Sequence, residues 1–118
     1  MENYTYGPLD IVLEQKENET EMSWRGQSIQ SNPGVTLRPY LFSLIDDLIG
    51  NNLTIEFNTL EYMNSSTVPP IVHFMKELNS NGIRTTITYD EDIKWQKASF
   101  KALEVLSEAL DNVTVKAS

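Results

Sequence analysis

NLTIEFNTLEYMNSSTVPPIVHFMKELNSNGIRTTITYD, residues 52–90, contains one complete strand, helix and strand unit. In NLTIEF, residues 52–57, Leu53, Ile55 and Phe57 alternate with their neighbours and share one face of a strand. The run continues through Leu60, Tyr62 and Met63 to three successive hydroxyls, Ser65, Ser66 and Thr67. Beyond them Val68, Ile71, Val72, Met75 and Leu78 recur at helical spacing, and NSNG at 79–82 reads as a helix stop. IRTTITYD, residues 83–90, is β-branched and aromatic and predicts a second strand. Two strands joined through a helix of this length imply a right-handed crossover and parallel pairing.

The flanks extend the pattern in both directions. DIVLEQ at 10–15 and EMSWRG at 21–26, separated by the polar KENET, predict a hairpin of two half-exposed strands. QSIQSNPGV at 27–35 is a turn-rich connector. After it Leu37, Leu41, Leu44, Ile45 and Leu48 predict a helix with Asp46 and Asp47 on its other side and Gly50 as its stop. EDIKWQKASFKALEVLSEAL at 91–110 predicts a third helix with a stripe of Trp95, Ala98, Ala102, Leu106 and Ala109, flanked by Val105 and Leu110. Ile93 and Phe100 fall off that stripe beside Lys97 and Lys101, as a contact surface or as edge packing. NVTVK at 112–116 closes as a last strand. The order ββαβαβαβ places the chain in the α/β class: a mixed, largely parallel sheet with helices packed on it, in one domain over residues 1–118. The first few residues and residues 26–36 are the candidate flexible segments.

Composition narrows the function. A chain of 118 residues that is 40% hydrophobic can bury one core without staples. Its formal net charge of -8 sets it against polyanions, so neither nucleic acid nor an anionic membrane is an expected partner. There are no cysteines, hence no disulfides, thiol nucleophiles or Cys-ligated zinc. MENYTYGPLD has no basic region and no apolar segment, and nothing in the chain approaches 18 uninterrupted apolar residues, so a cytoplasmic protein is expected. No catalytic set emerges either. The single histidine, His73, lies opposite the stripe of its helix and cannot by itself hold a metal. There is no G-x-S-x-G elbow, and the five glycines are scattered rather than spaced as a phosphate loop. YDED at 89–92 suits a hard cation or the start of the following helix, and the second use is favoured. The reading is a non-enzymatic protein with no cofactor and no metal.

The hydroxyl run is the richest feature. With Ser66 or Thr67 as the N-cap, Pro69 and Pro70 fall in the first turn, where a missing amide hydrogen costs little. A helix start also accommodates a phosphate without unfolding the domain. Two readings stand side by side: one cap with two spare turn residues, or a hydroxyl placed for modification.

At these residues the chain resembles the STAS-like regulatory phosphoproteins, most closely the SiaC type. LEYMNSS at 60–66 is similar to that type's strand-to-helix motif, SWRGQSI at 23–29 to its early glycine and serine motif, and TYDEDIKWQKASFKAL at 88–103 to its later acidic segment and helix. Anti-sigma factor antagonists of the STAS fold carry Asp-Ser-Ser-Gly where this chain has Asn64 to Thr67, which favours the SiaC type. The resemblance implies a bacterial signalling protein phosphorylated at Ser65, with Ser66 as the fallback. It implies a partner surface including Tyr62, Asn64, Ser66, Thr67, Tyr89 and Asp90. The implied partners are a serine/threonine kinase, a phosphatase, and an effector such as a diguanylate cyclase or an anti-sigma factor. The alternatives are an anti-sigma factor antagonist proper and a small-ligand or nucleotide-binding STAS domain, the latter with a pocket at the sheet's carboxyl edge.

Overall fold

The computed structural model describes residues 2–118, and the 52–90 unit lies at the centre of its sheet. β4 (Asn52–Glu56) and β6 (Thr85–Tyr89) are parallel neighbours, with Leu53 opposite Thr85 and Ile55 opposite Ile87, and α3 (Val68–Ser80) makes the crossover. β7 (Val113–Ala117) extends the parallel ladder on one side of β6 after α4 (Lys94–Ser107). On the other side β3 (Glu19–Ser28) runs parallel to β4, and β2 (Leu9–Lys16) and the short β1 (Tyr4–Tyr6) complete the sheet in antiparallel fashion. The strand order is β1-β2-β3-β4-β6-β7, with β5 (Leu60–Met63) beside the end of β3. The mixed, largely parallel α/β sheet expected from the sequence is the one observed.

One glycine makes this arrangement possible. β3 pairs with β4 over residues 19–23 and with β5 over residues 26–28, and the register shifts between Gly26 and Gln27. Gly26 has φ +82, and a Cβ there would lie 1.9 Å from the carbonyl oxygen of Pro8. Only glycine adopts that backbone at that approach without strain. The strand can therefore leave one neighbour and take up another.

The helices depart from the sequence reading in two ways. The first predicted helix is broken: α1 (Pro33–Ser43) ends at Leu44, and α2 (Ile45–Leu48) follows as a separate turn. Pro39 lies inside α1 and has no amide hydrogen for the Val35 carbonyl, a gap upstream of the break that the helix passes through. All five predicted apolar residues, Leu37, Leu41, Leu44, Ile45 and Leu48, are nevertheless buried. The stripe predicted for α4 is out of phase: its buried residues are Gln96, Phe100, Leu103 and Ser107, whereas Ala98, Ala102, Val105 and Ala109 are exposed. Counting apolar residues misses the buried glutamine that sets the phase. Phe100 is fully buried, so of the two readings for it neither a contact surface nor edge packing applies and it belongs to the core, while Ile93 is half-buried. Phe100 instead continues a chain of rings, 4.7 Å from Phe57 and 5.6 Å from Tyr89 between centroids, with Trp24 4.9 Å beyond Phe57.

Two segments read as flexible carry regular structure. β1 lies within the first few residues, where Tyr4 stacks on Tyr40 with 4.6 Å between ring centroids, and residues 26–36 include the end of β3 and the start of α1. A three-residue strand is too short for alternation to reveal.

Candidate functional site

The hydroxyl run lies where β5 leaves the sheet and α3 begins. Ser65–Thr67 form a single 3₁₀ turn, entered through an extended Asn64 with φ -78 and ψ 165. Asn64 holds the turn to the end of β3: its amide donates to the Ser28 carbonyl at 2.9 Å, and its Nδ2 to the Gln30 carbonyl at 3.0 Å. Thr67 is fully buried, and its hydroxyl donates to Asn64 Oδ1 at 2.8 Å. Because a threonine hydroxyl has one proton, the buried Ser28 hydroxyl, 2.7 Å away, is then the donor to Thr67. Ser28, Asn64 and Thr67 thus form one closed chain of hydrogen bonds. Ser65 and Ser66 are exposed and stand outside it.

This corrects the expected cap. Thr67 occupies the N-cap position, but its side chain turns into the core, and neither it nor Ser66 bonds to the first amides of α3. The amide of Val68 goes to the Ser65 carbonyl, while Pro69 and Pro70, the second and third residues of α3, have no amide hydrogen to offer. The helix start is therefore poor in free donors, and a charge placed on Ser65 would remain outside the helix.

The neighbouring connection, from β6 to α4, is held differently. Gln96 is fully buried; its Oε1 accepts the Asp90 amide at 2.8 Å, and its Nε2 donates to the carbonyls of Phe57 at 2.8 Å and Leu60 at 3.0 Å. One side chain thereby fixes the β4–β5 and β6–α4 loops together. The Asp90 carboxylate accepts the Asp92 amide at 2.9 Å, an Asx turn ahead of the helix, so YDED shapes the turn rather than capping α4, which has no side-chain cap. Among the described residues no three His, Cys, Asp or Glu side chains gather to hold a metal. Burial raises the Tyr89 hydroxyl above the usual tyrosine range, with Glu104 adding to the shift and Lys101 opposing it.

Of the sequence-predicted residues, Tyr62, Ser65 and Ser66 are exposed, Asn64 and Asp90 are half-buried, and Thr67 and Tyr89 are buried. The Tyr62 ring lies 6.4 Å from that of Trp95 and joins the β5 end to the start of α4. Thr67 and Tyr89 present no side chain to a partner. Sequence reasoning missed Ser28, Gln30 and Gln96 as site residues. Ser28 was nonetheless present in SWRGQSI, and Gln96 lies at helical spacing from Phe100, Leu103 and Ser107.

Hollows lie beside the sheet among the described residues. One of about 410 Å³ lies at the carboxyl edge, between the β3–α1 connection and the start of α3, and includes Ser66, Arg38 and His73 in its lining. Another, about 550 Å³, lies between β1 and the α1–α2 break, lined in part by Tyr4, Tyr40 and Asp47.

Solved structures with this arrangement include anti-sigma factor antagonists. A crystal structure of an anti-sigma factor antagonist from Mycobacterium paratuberculosis superposes with a TM-score of 0.62 at 12% identity, over 90% of this chain and 85% of that one. The chain has the STAS-like fold of the anti-sigma factor antagonists. The anti-sigma factor antagonist SpoIIAA in its unphosphorylated form matches with a TM-score of 0.50 at 19% identity, over 66% of this chain and 71% of its own. An uncharacterized protein with a SpoIIAA-like fold from Shewanella loihica PV-4 shares the STAS-like frame with a TM-score of 0.57 at 9% identity, over 98% and 88% of the two chains. No protein-family model and no curated protein matches the sequence. Among the described residues of this STAS-like chain, no helix is long and apolar enough to cross a membrane.

Proposed function

We propose that the chain is a non-enzymatic partner-switching regulator in which the phosphorylation state of Ser65 controls binding to an effector protein. The observation that carries this reading is the division of labour in the turn. Asn64 and Thr67 use their side chains to hold it, while Ser65, two residues beyond the end of β5, is exposed and its side chain takes no part in that hydrogen-bond chain. A kinase brings its own base, metal and ATP, so this chain needs only to present a hydroxyl. Two structures of the same fold belong to anti-sigma factor antagonists, one of them in an unphosphorylated form, which supports the same assignment.

The contact surface in this proposal is Tyr62, Ser65 and Ser66, with the exposed edges of Asn64 and Asp90. Thr67 and Tyr89 act from inside by fixing its shape. A phosphoryl group adds about -1.5 to -2 charges at the centre of that surface. The proline-bearing helix start cannot absorb them, so they fall on the partner. The partners are a serine/threonine kinase, a phosphatase and an effector, either an anti-sigma factor or a diguanylate cyclase, in a cytoplasmic bacterial circuit.

Peptide mapping after incubation with the cognate kinase should place phosphate on Ser65, with Ser66 as the fallback. In a calorimetric titration Ser65→Ala should bind the effector, and Ser65→Asp should bind it roughly 5- to 150-fold more weakly, the range of a typical coupling between two sites. Phosphate found only outside residues 64–67, or equal affinity of both variants for the effector, would overturn the assignment.

A further inference from the structure

The groove beside the turn runs against the charge of the chain as a whole. The chain carries 17 Asp and Glu against 9 Lys and Arg, yet no carboxylate lines this groove, whereas Arg38 and His73 both do. Ser31, Asn32 and Ser66 supply further polar groups, and Pro69 is among the residues that form its wall. Arg38 is also unclaimed. The ion pairs among the described residues are Lys16 with Glu21 and Lys101 with Glu104, and the Arg38 guanidinium lies over the Phe42 ring, 4.8 Å from its centroid. Stacking on a ring steadies the guanidinium and leaves its N–H edge free. Arg25 and Arg84 also lack a carboxylate partner, but Arg38 is the arginine that lines this groove, where it is placed for an anion from elsewhere.

We infer that this groove is a binding site for a phosphoryl group, with Arg38 as its principal donor and His73 and the Ser31 hydroxyl as supporting donors. A guanidinium matches a tetrahedral oxyanion through two parallel N–H bonds, and an imidazole keeps at least one N–H donor in either of its protonation states. Two sources present this chemistry. Ser66 lines the groove itself, so a phosphoryl group on its oxygen would be received within the same molecule. A free or partner-borne phosphate would enter from solvent. The proposed switch at Ser65 matters here only as the setting for the first source; the groove itself stands on Arg38 and His73.

The consequence is that the two exposed serines are not equivalent. A phosphoryl group on Ser65 lies outside the groove and meets the partner. One on Ser66 is held beside Arg38, with its charge turned toward the groove.

The test uses the whole chain with inorganic phosphate as probe, and then with phosphoserine installed during synthesis at position 65 or at position 66. Phosphate added to the unmodified protein should shift the NMR resonances of Arg38, Ser66 and His73 saturably, and Arg38→Gln should weaken that binding at least tenfold. In ³¹P NMR, phosphoserine at 66 should titrate at lower pH than phosphoserine at 65, and Arg38→Gln should remove the difference. Both results together assign the groove to the phosphate of the protein's own Ser66. Saturable phosphate binding without a position-66 effect assigns it to a phosphate from outside. Neither shift nor difference overturns the inference. Because the phosphate titration does not involve Ser65, it can succeed where the switch fails, and fail where the switch succeeds.

Discussion

Two connections leave the carboxyl edge of the parallel strands side by side, β5 into α3 and β6 into α4, and they are secured by opposite means. The second depends on one buried side chain, Gln96, which reaches four backbone groups across the β4–β5 and β6–α4 connections. The first is secured from within its own turn: Asn64 and Thr67 lock onto Ser28 and Gln30 at the end of β3, and everything else in the turn faces outward. In the β6–α4 connection the polar group is spent on structure. In the β5–α3 connection structure uses two residues and leaves two hydroxyls over. A surplus of hydroxyls becomes meaningful only when the ones that hold the fold can be told from the ones that do not.

The junction between the two is Gly26, where β3 exchanges β4 for β5, and breaking it should have the largest effect. Gly26→Ala forces a Cβ to within 1.9 Å of the Pro8 carbonyl oxygen at φ +82. The backbone conformation costs about 1–3 kcal/mol and the forced displacement about as much again. The expected loss is roughly 3–5 kcal/mol in urea unfolding, and a loss below about 1 kcal/mol would mean that the bulge relaxes freely. Next comes Gln96→Ala, which strands the Asp90 amide and the Leu60 carbonyl and takes one of its two donors from the Phe57 carbonyl. Each such group costs about 1–3 kcal/mol if left unmet, and water entering the space recovers part of it, so roughly 2–4 kcal/mol is expected. An unchanged unfolding midpoint would show that the β6–α4 connection holds without its glutamine.

The same contrast explains what the sequence discloses and what it hides. The 52–90 unit is legible because its strands alternate and its helix carries an apolar stripe: Leu53, Ile55, Ile71, Met75 and Leu78 are all buried as read. α4 misleads because its phase is set by Gln96 and Ser107, polar residues whose place in the core depends on backbone groups far away in sequence. No periodicity of hydrophobic residues contains that information. The hydroxyl run was conspicuous, but the assignment of roles within it was not, because Thr67 answers to Ser28, 39 residues upstream, rather than to its own helix. The glycine and serine of SWRGQSI were visible as a motif, and their reasons, a bulge and a buried hydrogen bond, are tertiary.

Removing the lock of the first connection should cost less than removing that of the second. Thr67→Val keeps the shape but leaves the Ser28 hydroxyl and Asn64 Oδ1 without their partner, so about 1–3 kcal/mol is expected. Its effect should spread: amide hydrogen exchange in residues 64–67 should rise, whereas exchange at residues 90–96, held by Gln96, should not. Equal acceleration in both loops would show that the two connections open as one unit.

The smallest effects belong to the two serines, and their smallness is the point. Ser65 and Ser66 are exposed, their side chains lie outside the chain of hydrogen bonds that fixes the turn, and neither caps α3. Alanine at either position should therefore change stability by no more than about 0.5 kcal/mol, the range of surface substitutions away from special features. An N-cap would lose about 0.5–2 kcal/mol in the same experiment, so matched thermal melts of Ser66→Ala and wild type separate the two roles. A clear loss for Ser66→Ala would return that hydroxyl to the frame and leave Ser65 as the single free one. Coincident melts for Ser65→Ala, Ser66→Ala and Ser65→Asp would leave the domain indifferent to charge at the turn. Any change in effector binding among these variants would then report the surface itself, not a loosened fold beneath it.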